Sequence, residues 1–191
     1  MEGNETDIIR ECQAGNLKKF GKLYDQYIKK IYNFIFYKTL QKEITEDLTS
    51  QTFIKALENI SKYNNAKGSF SSWLYKIARN TVIDYYRTKK ENFNIADFSN
   101  LSSYENLEDK TDIKQQLEKI QKYLKKLKAE QREIIIMRIW DGLSYEEISH
   151  IINKSQASCK MLFSRTINKL RQEMPLEILT LLLIKIINAH I

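Results

Sequence analysis

The chain has a single proline, Pro175, and only five glycines among its 191 residues. Sandwiches and barrels need many tight turns, which these two residues supply, so such all-β folds are disfavoured. Hydrophobic residues make up 42% of the chain and aromatic residues 11%, which is enough to bury a core and argues against global disorder. The sequence therefore predicts an all-α, soluble, intracellular protein of one large domain or two small ones.

Two cysteines, Cys12 and Cys159, and two histidines, His150 and His190, are the only residues of these types. Their spacing matches no metal-ligand pattern, so zinc fingers, Cys–His nucleophilic sites and a disulfide framework are disfavoured. No catalytic constellation is visible either. We therefore expect no enzyme activity, no metal and no cofactor, and a structural role for Cys159.

The net charge of +7 is unevenly distributed along the chain. Residues 1–90 carry a net charge of +6, residues 91–113 carry −5, residues 114–174 carry +6, and residues 175–191 are neutral. A polar, acidic segment has no core of its own and is typical of a flexible linker. The sequence thus predicts two small helical domains, 1–90 and 114–174, joined by the acidic linker 91–113, and their Lys-rich surfaces suit a polyanion.

The last segment, 175–191, is rich in Leu and Ile but contains Glu177 and Lys185. A membrane-spanning helix needs about 20 mostly apolar residues, which is more than this tail offers. A docking helix or partner-binding tail is the favoured interpretation, while a membrane anchor and a frayed end remain open. The acidic, polar start of the chain is unlike a secretory signal.

A helix-turn-helix is predicted in the second basic domain. Gly142 can end one helix in the left-handed conformation, and Ser144 with Glu147 forms a capping box that begins the next helix. Asn153 tolerates positive φ, and Ser155 can cap a third helix. A short helix, a tight turn and a second helix that fits the major groove make up this motif.

The second helix of the motif, from Gln156 to Arg171, has two distinct faces. Cys159, Phe163, Ile167 and Leu170 recur at helical spacing and are predicted to face the core. The predicted DNA-binding side chains lie on the opposite side: Gln156, Ser158, Lys160, Ser164, Arg165 and Lys169. A helical hairpin with a merely solvated basic face remains an alternative.

A second nucleic-acid surface is predicted in the first domain. The loop before the helix that begins near Phe70 contributes Asn64, Asn65, Lys67 and Ser69, and the helix contributes a stripe of Lys76, Arg79, Asn80, Ile83, Asp84 and Arg87. Cationic side chains can neutralise phosphates while amides bond exposed bases. Four tyrosines could stack on unpaired bases, namely Tyr63, Tyr75, Tyr85 and Tyr86, whereas Phe70 and Trp73 are predicted to be core.

Four segments, in order, resemble the bacterial RNA polymerase sigma factors of the extracytoplasmic-function type across residues 7–174. Residues 7–24 look like the opening helix of that family, and residues 45–57 resemble its polymerase-clamp-binding helix. Residues 70–84 are similar to the helix that engages the minus-ten element. Residues 130–133 and 142–148 are similar to the domain that engages the minus-thirty-five element.

The resemblance implies a role for each domain. Residues 1–90 correspond to region two, which would bind the polymerase clamp through Asp47, Leu48, Gln51, Phe53 and Ile54. The loop 64–69 and the stripe from Lys76 to Arg87 would engage the minus-ten element and a flipped base. Residues 114–174 correspond to the winged-helix-like region four, and the acidic linker would pass through the nucleic-acid channel of the polymerase.

The implied partners are core RNA polymerase, through its clamp and flap, promoter DNA, and an anti-sigma factor. The implied location is the cytoplasm, with membrane contact only indirect or through the tail. Two departures from the family are notable: Asn153 stands where glycine is usual, and Met161 and Leu162 stand where small polar and basic residues are usual. The apolar tail could fold back on the second domain, or form with these residues a surface for an inhibitor.

Two other protein classes compete with the sigma-factor interpretation. A stand-alone helix-turn-helix regulator would bind its operator as a dimer, and it would have no use for the helix over residues 45–57. A sigma decoy or polymerase modifier would keep that helix and lose the DNA faces, yet Lys76, Arg79, Lys160 and Arg165 are present.

Overall fold

The computed structural model describes residues 4–92, 120 and 122–180. All regular elements in this part of the chain are helical and none is a strand, which confirms the all-α prediction. The chain divides into two compact units, Met1–Ser102 and Ser103–Ile191. The boundary falls within the predicted acidic linker, most of which, residues 93–113, lies outside the described residues. No helix in the described ranges is long and apolar enough to cross a membrane.

The first unit is built from four helices: α1 (Glu5–Gln13), α2 (Phe20–Thr39), α3 (Lys42–Glu58) and α4 (Phe70–Asn92). Short 3₁₀ turns at Leu17–Lys19, Ile60–Lys62 and Asn65–Lys67 lie between them. Helices α2, α3 and α4 pack against one another, and α1 packs on α2. Leu23, Ile31, Phe34 and Ile35 of α2 are fully buried, as their helical spacing predicts.

The buried face of α3 is made partly of threonines rather than of apolar residues alone. Thr45, Thr49 and Thr52 are each at most 3% exposed. Their hydroxyls donate to the carbonyl oxygens four residues earlier, at 2.6, 2.6 and 2.7 Å. Because every buried hydroxyl is satisfied within the helix, these small side chains let α3 lie close to its neighbours. Ile54, which the family resemblance places at the polymerase clamp, is 55% exposed.

The second unit contains a helical segment at 122–126, then α5 (Ala129–Ile135), α6 (Tyr145–Ile152) and α7 (Gln156–Glu173). Helix α5 continues as a π-helical segment, Ile136–Trp140. Four consecutive side chains from Ile134 to Met137 are completely buried, so this part of the helix is surrounded by protein on all sides. No strand occurs in residues 122–180, so within that range the helix-turn-helix has no β wing beside it.

The guanidinium of Arg132 fixes the turn before α5. Its Nε donates to the carbonyl of Leu124 at 2.9 Å, and its second terminal nitrogen lies 3.2 Å and 3.4 Å from the carbonyls of Lys125 and Leu127. These carbonyls lie at and just after the end of the 122–126 helix, where helical amide partners are lacking, although that of Leu124 also accepts from the Leu127 amide at 3.1 Å. The motif over residues 130–133 therefore has a local structural role.

The start of the apolar tail packs on the second unit. Met174 and Leu179 are about 5% exposed, while Leu176 is 75% exposed. Pro175 and Ile178 line one side of a groove whose other side is formed by the 122–126 helix. The remainder of the predicted tail, residues 181–191, lies outside the described residues.

Both cysteines are buried, Cys12 in the first unit and Cys159 in the second. Burial raises the pKa of each thiol, and the nearby Lys154 offsets only part of the rise at Cys159. A buried thiol with a raised pKa is a poor nucleophile, which fits the structural role predicted for Cys159.

Candidate nucleic-acid interface

Local hydrogen bonds fix both helices of the predicted helix-turn-helix. Gly142 has φ +68°, and the next helix begins with a capping box. The Ser144 amide donates to Oε2 of Glu147 at 2.9 Å, and the Glu147 amide donates to Oγ of Ser144 at 3.1 Å. Asn153 ends α6 with φ 56° and ψ 49°, and Oγ of Ser155 accepts from the Ser158 amide at 3.1 Å. Every cap predicted from the sequence is confirmed.

Longer-range contacts hold α6 and α7 against the rest of the unit. Nζ of Lys154, in the turn, lies 2.8 Å from Oε2 of Glu130 at the start of α5. The Arg138 guanidinium lies 4.9 Å from the centre of the Tyr145 ring, which contacts Phe163 edge to face. The position of α7 therefore depends on contacts made by the turn and by the start of α6.

The predicted inward face of α7 is largely confirmed: Cys159, Ile167 and Leu170 are buried, and Phe163 is half-buried. The predicted outward residues Gln156, Ser158, Lys160, Ser164 and Arg165 are exposed, and Lys169 is half-buried, 3.9 Å from Glu173. The Ser158 hydroxyl is occupied locally, 2.9 Å from Oγ of Ser155. Met161, which departs from the family pattern and was predicted as part of an inhibitor surface, projects from the middle of the outward face and is 50% exposed.

The loop of the first unit, Asn64–Ser69, is supported from below by a buried tyrosine. The Tyr63 hydroxyl lies 3.0 Å from Oδ1 of Asn65 and 3.1 Å from the Gly68 carbonyl. Oδ1 of Asn64 accepts from the Ala66 amide at 2.9 Å, and Gly68 has φ +140°. Asn64, Asn65, Lys67 and Ser69 are all exposed.

Two further side chains anchor this loop at its ends. Nε2 of Gln13, on α1, donates to the carbonyls of Ile60 and Tyr63 at 3.1 and 2.8 Å. Oγ of Ser69 accepts from the Ser72 amide at 3.2 Å and so caps α4. Hydrogen bonds to α1, to Tyr63 and within the loop thus fix its conformation, while the side chains of Asn64 and Asn65 are exposed.

The prediction that Tyr63 and Tyr75 stack on bases is wrong. Tyr63 is 8% exposed and packs against the rings of Phe70 and Trp73, while Tyr75 is fully buried against Phe34. The apolar environment of the unit's core attracts these rings more strongly than an aqueous surface does. Phe70 is core as predicted.

Other aromatic residues of α4 are nearer the surface. Trp73 and Tyr85 are half-buried. Tyr86 is 37% exposed, with its hydroxyl donating to the Lys38 carbonyl at 3.3 Å.

Some residues of the predicted stripe on α4 are exposed, and others are half-buried or form a local ion pair. Lys76, Asn80 and Arg87 are exposed, whereas Arg79 and Asp84 are half-buried. Arg87 lies 3.3 Å from Asp84, and Asp84 also lines a groove of about 480 Å³ between α3 and α4. The carboxylate of Asp84 therefore neutralises one of the cations that the stripe offers to phosphates.

Helix α3 presents fewer contact residues than predicted. Asp47 is exposed and accepts from Nε2 of Gln51 at 2.8 Å, and Ile54 is exposed. Leu48 is 1% and Phe53 5% exposed, so the prediction that they contact a partner is corrected: they support α3 from inside the unit. The Phe53 ring packs 4.8 Å from that of Tyr24 on α2.

Among the described residues, no group of three or more His, Cys, Asp or Glu side chains could hold a metal ion. The interfaces above consist instead of amides, hydroxyls, cations and a few apolar side chains.

Family models match each unit separately. The model described as Sigma-70 region 2 matches residues 23–91, and the model described as Sigma-70, region 4 matches residues 117–170. The first match contains α3, the loop and most of α4. The second contains α6, the turn and all but the last three residues of α7.

Two solved structures have folds similar to that of this chain. The chain superposes on CnrH, solved in complex with the cytosolic domain of CnrY, with a TM-score of 0.68 at 19% identity, covering 86% of this chain and 93% of that one. The sigma factor RpoE of Bartonella quintana, solved with the anti-sigma factor NepR, gives a TM-score of 0.64 at 23% identity, covering 81% and 96%. At these identities the likeness concerns the fold.

Curated relatives are similar over most of this chain. The sigma factor BldN of Streptomyces coelicolor is 30% identical over 88% of this chain and 65% of its own length. The sigma factor SigM of Bacillus subtilis is 30% identical over 78% of this chain and 91% of its own length. With both regions matched in order and a relative covered almost completely, the chain belongs to the extracytoplasmic-function sigma factors of bacterial RNA polymerase.

Proposed function

We propose that this chain binds core RNA polymerase and directs it to a specific set of promoters, where it helps to melt the DNA and initiate transcription. The observation that carries the proposal is the ordered pair of regions two and four, each with an exposed polar or basic surface. The chain acts through binding free energy and is not an enzyme. It works in the cytoplasm, where polymerase and promoter DNA meet.

The polymerase clamp binds the exposed side of α3 in this proposal. Ile54 offers an apolar contact, and Asp47 with Gln51 offers a polar pair one to two turns earlier on the helix. An exposed apolar side chain beside polar neighbours is typical of a protein interface. Leu48 and Phe53 keep these three residues in position from the core side.

The minus-ten element binds the loop and the adjoining part of α4. Asn64, Asn65 and Lys67 present amide and ammonium groups in an irregular geometry that suits an unpaired base. Ser69 caps α4 beside them, and the exposed stripe residues Lys76, Asn80 and Arg87, with Arg79 and Asp84 at its edge, follow the adjacent backbone. The outward face of α7 occupies the major groove of the minus-thirty-five element.

An anti-sigma factor is a further proposed partner. The sigma factor RpoE of Bartonella quintana, which has a similar fold, was solved with the anti-sigma factor NepR. In this chain the exposed side chains of Ile54 and Leu176 offer apolar contacts to such an inhibitor.

Run-off transcription with bacterial core polymerase and a pool of genomic promoters tests the central proposal. We expect discrete products that depend on the added protein, and weak DNA binding by the protein alone. Tight operator binding by the free protein as a dimer, without binding to core, would support the stand-alone regulator instead. Stable binding to core without any product would identify a decoy.

Two surface variants separate the two roles. Ile54→Asp should reduce binding to core polymerase while leaving promoter preference in the residual transcripts unchanged. Arg165→Ala should leave core binding unchanged and weaken the upstream contact by about 1–3 kcal/mol if this side chain bonds a base. Lys62→Ala, an exposed residue outside the proposed surfaces, is the matched control.

A further inference from the structure

Met161 occupies the centre of the outward face of α7. Successive residues of an α-helix are rotated by about 100°, so Met161 lies roughly 160° from Cys159 and about 180° from Leu170. Both of those residues are fully buried, whereas Met161 is 50% exposed. Within the described part of α7, Met161 is the only large apolar side chain that is exposed rather than buried or half-buried.

The neighbours of Met161 on this face are small or cationic. Ala157 and Arg165, four residues away on either side, are each rotated by only about 40° from it, and both are exposed. Ser164, Asn168 and Lys160 complete the exposed surface. A cationic rim around an apolar centre matches a groove that is lined by phosphates and has apolar groups on its floor.

In the major groove, the apolar group on the base edges is the C5-methyl of thymine. A methionine side chain is long and unbranched, so it can follow the groove floor between cations that bond the phosphates. Leaving it half exposed to water forgoes part of the roughly 1.5–3 kcal/mol that complete burial of such a side chain provides. Docking on a thymine methyl recovers part of that free energy and costs no polar contact.

We propose that Met161 is a specificity-determining residue that selects thymine in the upstream promoter element by contact with its methyl group. This inference rests on the proposed function, since it assumes that α7 enters the upstream major groove. It goes further by naming one residue and one chemical group on the DNA. The upstream element of this chain's promoters accordingly contains at least one thymine whose methyl group contributes to binding.

Single thymine-to-deoxyuridine substitutions test the contact because they remove only that methyl group. The full chain with core polymerase is assayed by run-off transcription and promoter retention on its own preferred promoter. At the contacted position, we expect wild-type retention to fall by about two- to four-fold, since one methyl group is worth at most about 0.8 kcal/mol. Met161→Ala should respond equally to thymine and deoxyuridine there, and Met161→Leu should regain part of the discrimination.

Leu17→Ala is the matched control, because it also truncates a 50% exposed apolar side chain and lies outside the proposed binding surfaces. It should keep the wild-type response to deoxyuridine.

Several results would contradict the assignment of Met161. A preferred element without thymine, indifference of the wild type to every substitution, or an undiminished response in Met161→Ala would overturn the assignment and leave the sigma role intact. Unchanged promoter choice with lost inhibitor binding in Met161→Ala would also overturn it and assign the residue to a protein interface. Absence of promoter-specific transcription by the wild type would overturn the proposed function and this inference together.

Discussion

The two candidate DNA surfaces are held in position by different means. In the first unit the Asn64–Ser69 loop is supported from beneath, by the buried hydroxyl of Tyr63 and the side chain of Gln13. In the second unit α7 is held at its end by the Ser155 cap and along its length by a packed apolar face. The loop has no repeating geometry of its own, so tertiary contacts must define it, whereas the helix is defined by its own backbone.

This difference matches the two forms of DNA that a promoter offers in the proposed role. An unpaired base has edges and faces in an irregular arrangement, which a loop with individually placed amides can match. A duplex groove is regular and accepts a helix as a rigid body. Perturbing the supports should therefore affect the two surfaces to different extents.

Gly68→Ala should give the largest effect. Gly68 has φ +140° and ψ 167°, a conformation that is essentially limited to glycine, so a side chain there costs about 1–3 kcal/mol. We expect the loop to rearrange and start-site-specific transcription to be lost, while amide exchange in α6 and α7 stays unchanged. Gly21→Ala is the control, since Gly21 lies in α2 with open space where a Cβ would be, and it should be neutral or stabilising. Wild-type activity and stability in Gly68→Ala would show that the loop is not fixed by this residue.

Asn153→Ala tests the turn of the second unit. A non-glycine residue in the left-handed conformation costs about 1–2 kcal/mol unless it is Asn or Asp, so denaturant unfolding of α6 and α7 should occur at lower urea concentration. Asn153→Gly, which restores the residue usual in the family, should remain within a few tenths of a kcal/mol of the wild type, as estimated from the small cost of glycine at such positions. Equal stability of the alanine and glycine variants would contradict the backbone explanation.

Tyr63→Phe removes the hydroxyl under the loop and keeps the packed ring. The loss of its hydrogen bonds should cost about 1 kcal/mol and lower promoter opening more than binding to core polymerase. Amide exchange at residues 64–68 is the direct measurement. Tyr24→Phe, at a 41% exposed position, should stay within about 0.5 kcal/mol of the wild type. If both variants behave alike, the loop does not depend on the Tyr63 hydroxyl.

Glu130→Gln should give the smallest effect. Its ion pair with Lys154 is 2.8 Å long, but both side chains are substantially exposed, so the pair contributes about 0.2–1 kcal/mol. The difference from the wild type should shrink as salt is raised from about 0.1 to 1 M, because the Debye length falls from about 10 to 3 Å. A salt-independent loss would mean that Glu130 acts through packing. A double-mutant cycle with Lys154→Met separates the contribution of the ion pair from that of packing.

The features predicted successfully from sequence are those fixed over a few residues. The capping box at Ser144, the left-handed Asn153 and the cap at Ser155 depend on local hydrogen bonds, so the residue types alone indicate them. The all-α class follows from spacing and from the scarcity of Gly and Pro. The position of each unit's partners on polymerase and DNA remains a prediction.

The predictions fail where packing between helices determines which side chains are buried. A count of apolar residues cannot indicate the burial of Thr45, whose hydroxyl is satisfied inside α3. Leu48 was expected at a surface, although its neighbours in space bury it. Tyr63 illustrates the same limit, because the residues that bury it are Phe70 and Trp73 on the following helix.

The buried run in α5 and its π-helical continuation has a consequence for the unfolded protein. Residues 134–139 combine four isoleucines and a methionine with neither glycine nor proline, which is the composition of segments that assemble into cross-β aggregates. Arg138 is the one charge within the run, and Arg132 precedes it as a gatekeeper. The native unit buries every side chain of this segment except Arg138, which is half-buried. When the second unit unfolds, residues 134–139 become exposed and form the main site at which chains associate. We therefore expect the protein to precipitate irreversibly on heating.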